Sequence, residues 1–385
     1  MKRVYQIVSY ILVAALASSA TLFASAKLYY NDSQSKLDQL SDLIEERFIG
    51  ESDRTAYEDA AAAAMVDALG DEWSYYIPAD QYQAHMETMQ NAYVGIGITI
   101  STREDGSGFD VLKVNEGGPA EEAGMLAGDV IIGIEGSDTA GMTADDARNL
   151  VRGEENTQVT LTVRRGTETI ELSVMRKQVL TPVATGQMLE GNIGLVTIVN
   201  FDDRCFDESL AAIEKLLNEG AQALIFDVRN NPGGYKHELV KLLDYLLPAG
   251  PLFRAEDYRG KVEVDQSDAD HLDIPMAVLV NGSSYSAAEF FAAALSEYEA
   301  AIVVGEKTYG KGYFQTTIHL KDGSAVGLSV GRYTTPNGKS LAGIGIEPDI
   351  AVEVDEQTAF EIYAGTMDPV KDPQILAAAE ALKTK

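Results

Sequence analysis

The sequence predicts a multidomain chain of mixed α/β class (α+β across its domains), with a helical N-terminal region, a small β-rich module and an α/β core. Three observations carry this expectation. Apolar residues recur at helical spacing over residues 34–92. Short apolar runs separated by glycine-containing turns fill residues 93–176. From about residue 180, strand-like and helix-like segments alternate in the manner of a sheet with crossover helices.

The chain begins with Lys2 and Arg3, followed by the uncharged run "VYQIVSYILVAALASSATLFASA" at residues 4–26. A helix of that length, at ~1.5 Å per residue, could span a ~30 Å hydrocarbon layer. The run also ends in Ala24-Ser25-Ala26, which suits a signal-peptide cleavage site. Residues 1–26 are therefore read as a signal peptide or a membrane anchor, with both open, and the rest of the chain as extracytoplasmic. The helical stretch that follows, to residue 92, is broken at Gly70 and Pro78 and reads as a spacer or dimerisation element. A homo-oligomer is compatible with it.

Composition excludes several classes of partner. Asp and Glu number 60 against 30 Lys and Arg, a net charge of −30. Nucleic acid and anionic lipid surfaces are disfavoured, because both require basic patches. A membrane contact is expected only through the N-terminal segment, if uncleaved. The single cysteine, Cys205, excludes an internal disulfide. The four histidines are too scattered for a helical metal pair, so neither metal nor cofactor is expected.

In residues 93–176 the segments "YVGIGITIS", "FDVLKV", "GDVIIGIEG" and "QVTLTVRR" read as strands, and "TADDARNLVRG" as a helix. The turn Gly95-Ile96-Gly97-Ile98, followed by "GGPAEEAGMLAGDVIIGIEG", resembles a PDZ domain. Neither motif alone is specific; the pair is. Glycines let successive backbone N–H groups face one concavity, where a peptide's terminal carboxylate can be held. The resemblance implies that a peptide adds as a strand beside residues 96–100, against the helix at 143–152.

The remaining elements are "NIGLVTIVNF", "AQALIFDVRNNPGG", "IPMAVLVNG" and "AAIVVGEK" as strands. The helices are "FDESLAAIEKLLNEG", "YKHELVKLLDYLL" and "SAAEFFAAALSEY". A C-terminal helical region is expected from 361 to 385. The stretch "NGSSYSAAE" puts Ser283, Ser284 and Ser286 between an apolar strand and a helix, a corner where nucleophiles are displayed. A serine at a helix start is more often a cap. Taken with "GEKTYGKGYFQ", however, the stretch resembles the carboxyl-terminal processing (tail-specific) proteases, PDZ-containing Ser/Lys peptidases.

That resemblance extends to "DVRNNPGG" and "YTTPNGKSLAGIGIEPDI" and covers nearly all of the chain beyond residue 34. It implies a crotonase/Clp-like α/β protease core at 177–360, with Ser286 as nucleophile, Lys311 as general base and Gln315 orienting the lysine. Two departures exist. Tyr285 replaces a usually small residue and is expected to pack, the alternative being that it narrows the pocket, and Ala288 stands where serine is common.

The chemistry agrees. A serine hydroxyl needs a base, and a lysine serves when desolvation lowers its pKa from ~10.4. Gly310 and Gly312 let the chain turn sharply around Lys311, whereas Lys307 reads as a solvated surface lysine. Donors for the oxyanion are expected from the N–H of Ala287 and from Gly233 or Gly234; Pro232 has none to offer. Arg152, after the groove helix, is a candidate to couple the PDZ module to the core. The expected function is an exported serine endopeptidase taking protein or peptide substrates with free C-termini. A catalytically silent tail-binding scaffold and an acyl-thioester enzyme are the competing classes.

Overall fold

A computed structural model describes residues 35–103, 105–115 and 117–383, together with positions 18 and 21. Apart from those two positions, the expected signal or anchor at 1–26 lies outside the described residues. Among the described residues no helix is long and apolar enough to cross a membrane. The chain divides into two units, one ending at Tyr76 and the other running from Ile77 to Lys385.

The first unit holds helices α1 (Lys36–Arg47) and α2 (Arg54–Asp67). Ser35 and Asp38 form a capping box at the start of α1, and Asp53 caps α2 by accepting from the N–H of Ala56. Arg54 joins the helices through Glu45 at 3.1 Å while also pairing with Glu58 at 2.8 Å. The chain then forms a short strand, β1 (Tyr75–Ile77), within a stretch expected to be helical. Tyr and Ile favour an extended backbone, and the flanking Gly70 and Pro78 end the helices on either side. Helix resumes in the second unit as α3 (Tyr82–Met89).

Next comes a ribbon whose two strands enclose a module. β2 (Ala92–Gly95) leads in and pairs antiparallel with β9 (Lys177–Leu180), which leads out. Between them lie β3 (Ile98–Thr102), β4 (Phe109–Val114), α4 (Pro119–Glu122), β5 (Val130–Ile134), β6 (Ser137–Asp138), α5 (Ala144–Val151), β7 (Gln158–Arg165) and β8 (Glu168–Met175). The sheet order is β3-β4-β5-β7-β8, with β6 beside β5, so β3 lies at an edge. Phe109, Val111, Ile131, Leu161, Val163 and Val174 fill its core. The buried Asp129 of the Gly-Asp run accepts two bonds from Arg165, both at 2.7 Å, which fixes the turn before β5.

The core is a second sheet, of β10 (Ala184–Leu189), β11 (Ile193–Ile198), β12 (Ala223–Asp227), β15 (Met276–Val280), β16 (Ala301–Gly305) and β19 (Ile350–Ala351). Only the β10–β11 pair is antiparallel; the other neighbours run parallel. β11, β12 and β15 are nearly continuous apolar runs, as strands covered on both faces must be. One face carries α6 (Cys205–Asn218), α7 (Lys236–Leu246) and α8 (Ala287–Glu297). After α9 (Glu356–Tyr363), α10 (Pro373–Leu382) covers the other face with Ile375, Ala378 and Leu382. A buried network holds α10 in place: Arg229, just after β12, bridges Asp227 at 2.6 Å and Asp372, the N-cap of α10, at 2.8 Å.

A third, antiparallel sheet of β13 (Gly250–Asp257), β14 (Val262–Ser267), β17 (Tyr313–His319) and β18 (Ala325–Thr334) was not anticipated. In it β18 lies between β13 and β17.

Candidate active site

The groove of the module lies between the edge strand β3 and helix α5. It encloses about 290 Å³ and is lined by Ile98, Ile100, Phe109, Ala144, Ala147 and Val151 among others. Gly97 has φ +75°, a conformation that side-chain-bearing residues adopt only at a cost, and it bends the Gly95–Ile98 turn across the mouth of the groove. Ile96, by contrast, is a buried core residue, 1% exposed, and its carbonyl accepts the N–H of Ala120. Arg176 braces α5 by donating to the helix-end carbonyls of Leu150 and Val151 at 3.0 and 2.7 Å. Arg152 caps the same helix end, and its guanidinium lies 5.3 Å above the ring of Tyr93 in β2. Arg204 anchors the ribbon to the core through the carbonyls of Gln90 and Thr181, both at 3.0 Å.

The second site stands beyond the carboxyl ends of the parallel strands β12 and β15, where ligands bind in open α/β sheets. The three serines of the turn separate by their bonds. Ser284 is buried and donates to the carbonyl of Val228 at 2.7 Å while accepting from the N–H of Asn281 at 3.0 Å, so its hydroxyl is engaged by backbone. Ser283 is exposed. Ser286 is 7% exposed and has φ +56° and ψ −124°, a strained conformation for any residue but glycine. Its Oγ lies 3.2 Å from the hydroxyl of Tyr333.

Glu289, one turn into α8, is fully buried. Its Oε2 accepts the N–H of Ser286 at 3.0 Å and that of Lys311 at 2.9 Å. Its Oε1 accepts the N–H of Gly310 at 2.7 Å and the hydroxyl of Thr308 at 2.6 Å. One carboxylate thus gathers the backbones of the serine corner and of the lysine loop. Burial pushes its carboxyl above the ordinary value, and the four donors oppose that rise. Lys311 is half-buried, with Nζ 6.0 Å from the ring centroid of Tyr285. Tyr285, expected to pack or to narrow the pocket, faces the lysine as well as Tyr309, whose ring centroid is 5.8 Å away. Gln315 sits at a bulge in β17 and donates to Ser329 Oγ at 3.0 Å. Lys307 is exposed and pairs with Glu347 at 2.7 Å.

The "NNPGG" turn after β12 lies directly against the serine corner. A Cβ on Gly233 would meet Ser286 Cβ at 2.7 Å and the nitrogen of Ala287 at 2.8 Å, so only glycine fits there. The N–H of Gly233 is engaged, donating to Asn231 Oδ1 at 2.8 Å. Asn231 in turn accepts the N–H of Tyr285 on its carbonyl at 3.1 Å, which ties the two turns together. Of Glu289, Asn231 and Tyr333, the first entered the sequence reading only as the residue three after Ser286, and the other two were given no role. The Ser-x-x-Glu spacing was the available signal for the first. The other two lie within the family-like stretches "DVRNNPGG" and "YTTPNGKSLAGIGIEPDI", where nothing marked them individually.

A module with an open edge strand, joined by a two-stranded ribbon to an α/β core whose serine stands at a strained strand-to-helix corner, defines a PDZ-bearing enzyme of serine hydrolase type. Residues 192–352 match Peptidase family S41, and residues 111–165 match the PDZ domain. The chain is 31% identical over 367 residues to the carboxy-terminal processing protease CtpA of Bacillus subtilis, covering 92% of this chain and 78% of that protein. It is also 31% identical over 335 residues to a probable CtpA-like serine protease of Staphylococcus aureus, covering 86% of this chain and 67% of that one. A putative S41 protease from Bacteroides fragilis shares the fold, with TM-score 0.50 at 17% identity over 86% of this chain and 98% of that one. The chain belongs to the CtpA-like serine proteases of peptidase family S41.

Proposed function

We propose that the protein is a carboxy-terminal processing endopeptidase that cleaves with a Ser286/Lys311 dyad. The observation that carries this reading is the shared carboxylate: Glu289 Oε2 receives the N–H groups of both Ser286 and Lys311. The backbones of residues 25 apart in sequence, one after β15 and the other in the loop before β17, are thereby gathered on one carboxylate. Lys311 in its neutral form takes the Ser286 Oγ proton as the oxygen attacks the scissile carbonyl, then returns it to the leaving amine. The N–H of Ala287, in the first turn of α8, and that of Gly234 serve as oxyanion donors. The N–H of Gly233 is held by Asn231, and its role is the close approach of the two turns. Gln315 acts on the lysine from β17.

In this reading the PDZ groove, residues 93–176 with Gly95, Ile96, Gly97 and Ile98 at its mouth, holds the substrate's free C-terminus. Arg152, stacked on Tyr93 of the ribbon, carries groove occupancy towards the core. The region before residue 27 exports the chain and either remains as an anchor or is removed. The relatives named for carboxy-terminal processing support the activity. The test is cleavage of an unstructured protein by wild type, Ser286→Ala and Lys311→Ala. Each variant should lose at least about 10³-fold in kcat/KM while keeping its fold, and the double variant should lose no more than either single. Cleavage at wild-type rate by Lys311→Ala overturns the dyad.

A further inference from the structure

The hydroxyl of Tyr333 is hydrogen-bonded to Ser286 Oγ, at 3.2 Å. We propose that Tyr333 is a positioning residue for the nucleophile: its phenol donates to Ser286 Oγ, holding the oxygen in its attacking rotamer and leaving the serine's own proton for the base. The inference rests on Ser286 being the nucleophile.

The hydroxyl is the part of this residue that packing does not explain. The ring is caged, with centroids 4.8 Å from Phe290, 5.0 Å from Phe253 and 5.4 Å from Phe314. A phenylalanine would fill that cage equally well without the cost of burying a polar group. The cage removes the freedom of the ring, so the hydroxyl reaches Ser286 already oriented. The backbone is aligned too. In β18, Tyr333 pairs with Ala255 of β13, and its N–H donates to the carbonyl of Gly312, next to Lys311, at 3.0 Å. One residue thus fixes the lysine loop with its main chain and the serine oxygen with its side chain.

The phenol has a proton to donate. Burial, together with the nearby Glu289 carboxylate, pushes the Tyr333 phenol up to about 12, so it retains its proton at working pH. Protonated, it can donate to Oγ and cannot be the base. During acylation, Oγ bonds to the carbonyl carbon, the carbonyl π pair moves to the oxyanion, and the Oγ proton passes to the lysine amine. The Tyr333 proton is not transferred; its bond to Oγ stabilises the negative charge that gathers there as the proton leaves.

The experiment compares wild type, Tyr333→Phe and Ser286→Ala in two assays: covalent labelling by a fluorophosphonate, and steady-state cleavage of one peptide across pH. Tyr333→Phe should lower the labelling rate and kcat about 10- to 100-fold, the loss of one bond to a developing charge. KM should stay within about twofold, since no substrate contact is removed. The pH midpoint of kcat/KM should not move, because the titrating group is another residue. Labelling at or above wild-type rate overturns the proposal, as does a displaced midpoint, which would make Tyr333 the base. Fluorotyrosine at position 333 keeps the ring and acidifies the donor. Labelling should then fall off at lower pH than in wild type, and superimposed profiles also overturn the proposal. Labelling of Ser286→Ala would instead refute Ser286 as nucleophile.

Discussion

The PDZ groove and the Ser286 corner are both clefts between a strand end and a helix, and both depend on a glycine backbone; their polar economies differ. The groove is open and apolar, and its β3 edge remains available to a visiting strand. At the corner the hydrogen bonds are already made: Glu289 has four donors, Ser284 is bonded to backbone, and Ser286 Oγ meets a caged phenol. Recognition of a tail can rely on groups that water satisfies until the ligand arrives. Acyl transfer needs groups already in place when charge develops, because reorganising them during the reaction would add to the barrier. The corner therefore accepts a strained serine, whereas the groove needs only one glycine at positive φ.

The largest expected effect follows from breaking the network of the corner. Glu289→Ala leaves three buried N–H groups and the Thr308 hydroxyl without their acceptor, at ~1–3 kcal/mol each when unpaired. Denaturant unfolding should show a loss of several kcal/mol, and residual folded protein should cleave at least about 100-fold more slowly. Glu289→Gln keeps two of the acceptor sites and should fall between. A fully active, equally stable Glu289→Ala protein would remove the contrast drawn between the two sites.

A smaller effect is expected in the groove. At φ +75°, Gly97→Val strains the turn and withdraws N–H groups from a bound carboxylate, each such bond contributing ~1.5–3 kcal/mol. Substrates with a free C-terminus should show KM raised about tenfold, and amidating the tail should then make no further difference. If wild type treats free-acid and amidated tails alike, the groove does not read the carboxylate.

The smallest effect is on stability at high pH. The phenol of Tyr333 titrates at about 12 when folded against an ordinary value of 10.0. Below pH 10 both states are protonated and nothing is lost. Between pH 10 and about 12 the unfolded chain sheds this proton while the folded one keeps it, so stability declines through that window. Tyr333→Phe should flatten this decline, measured as the difference between the two unfolding curves. Identical slopes would mean that the phenol is not buried against the serine.

Local pattern carried much of the fold. Strands 109–114 and 158–165 and helices 205–218 and 236–246 lie where their periodicity predicts, because each buries a face whose spacing is written in consecutive residues. The serine corner and the lysine loop were legible for another reason: "NGSSYSAAE" and "GEKTYGKGYFQ" together resemble a known family, whereas local signals alone favour a helix cap and a surface lysine. The sheet of β13, β14, β17 and β18 was not legible. Its strands are half-exposed, and what makes them strands is their pairing across as many as 80 residues, as between Arg254 and Thr334.

The same limit applies to side chains. Three serines share one turn; the family-like spacing to Glu289 and Lys311 picked out Ser286, but what occupies Ser284 is the carbonyl of Val228, 56 residues away. Tyr333 has no assigned role in the sequence until folding brings its hydroxyl across 47 residues to Ser286. Backbone preference acts between neighbours, so a sequence can announce a turn, a helix or a nucleophile-bearing corner. Which polar atoms meet inside that corner is decided by strands that arrive from elsewhere in the chain, and those meetings exist only in the folded protein.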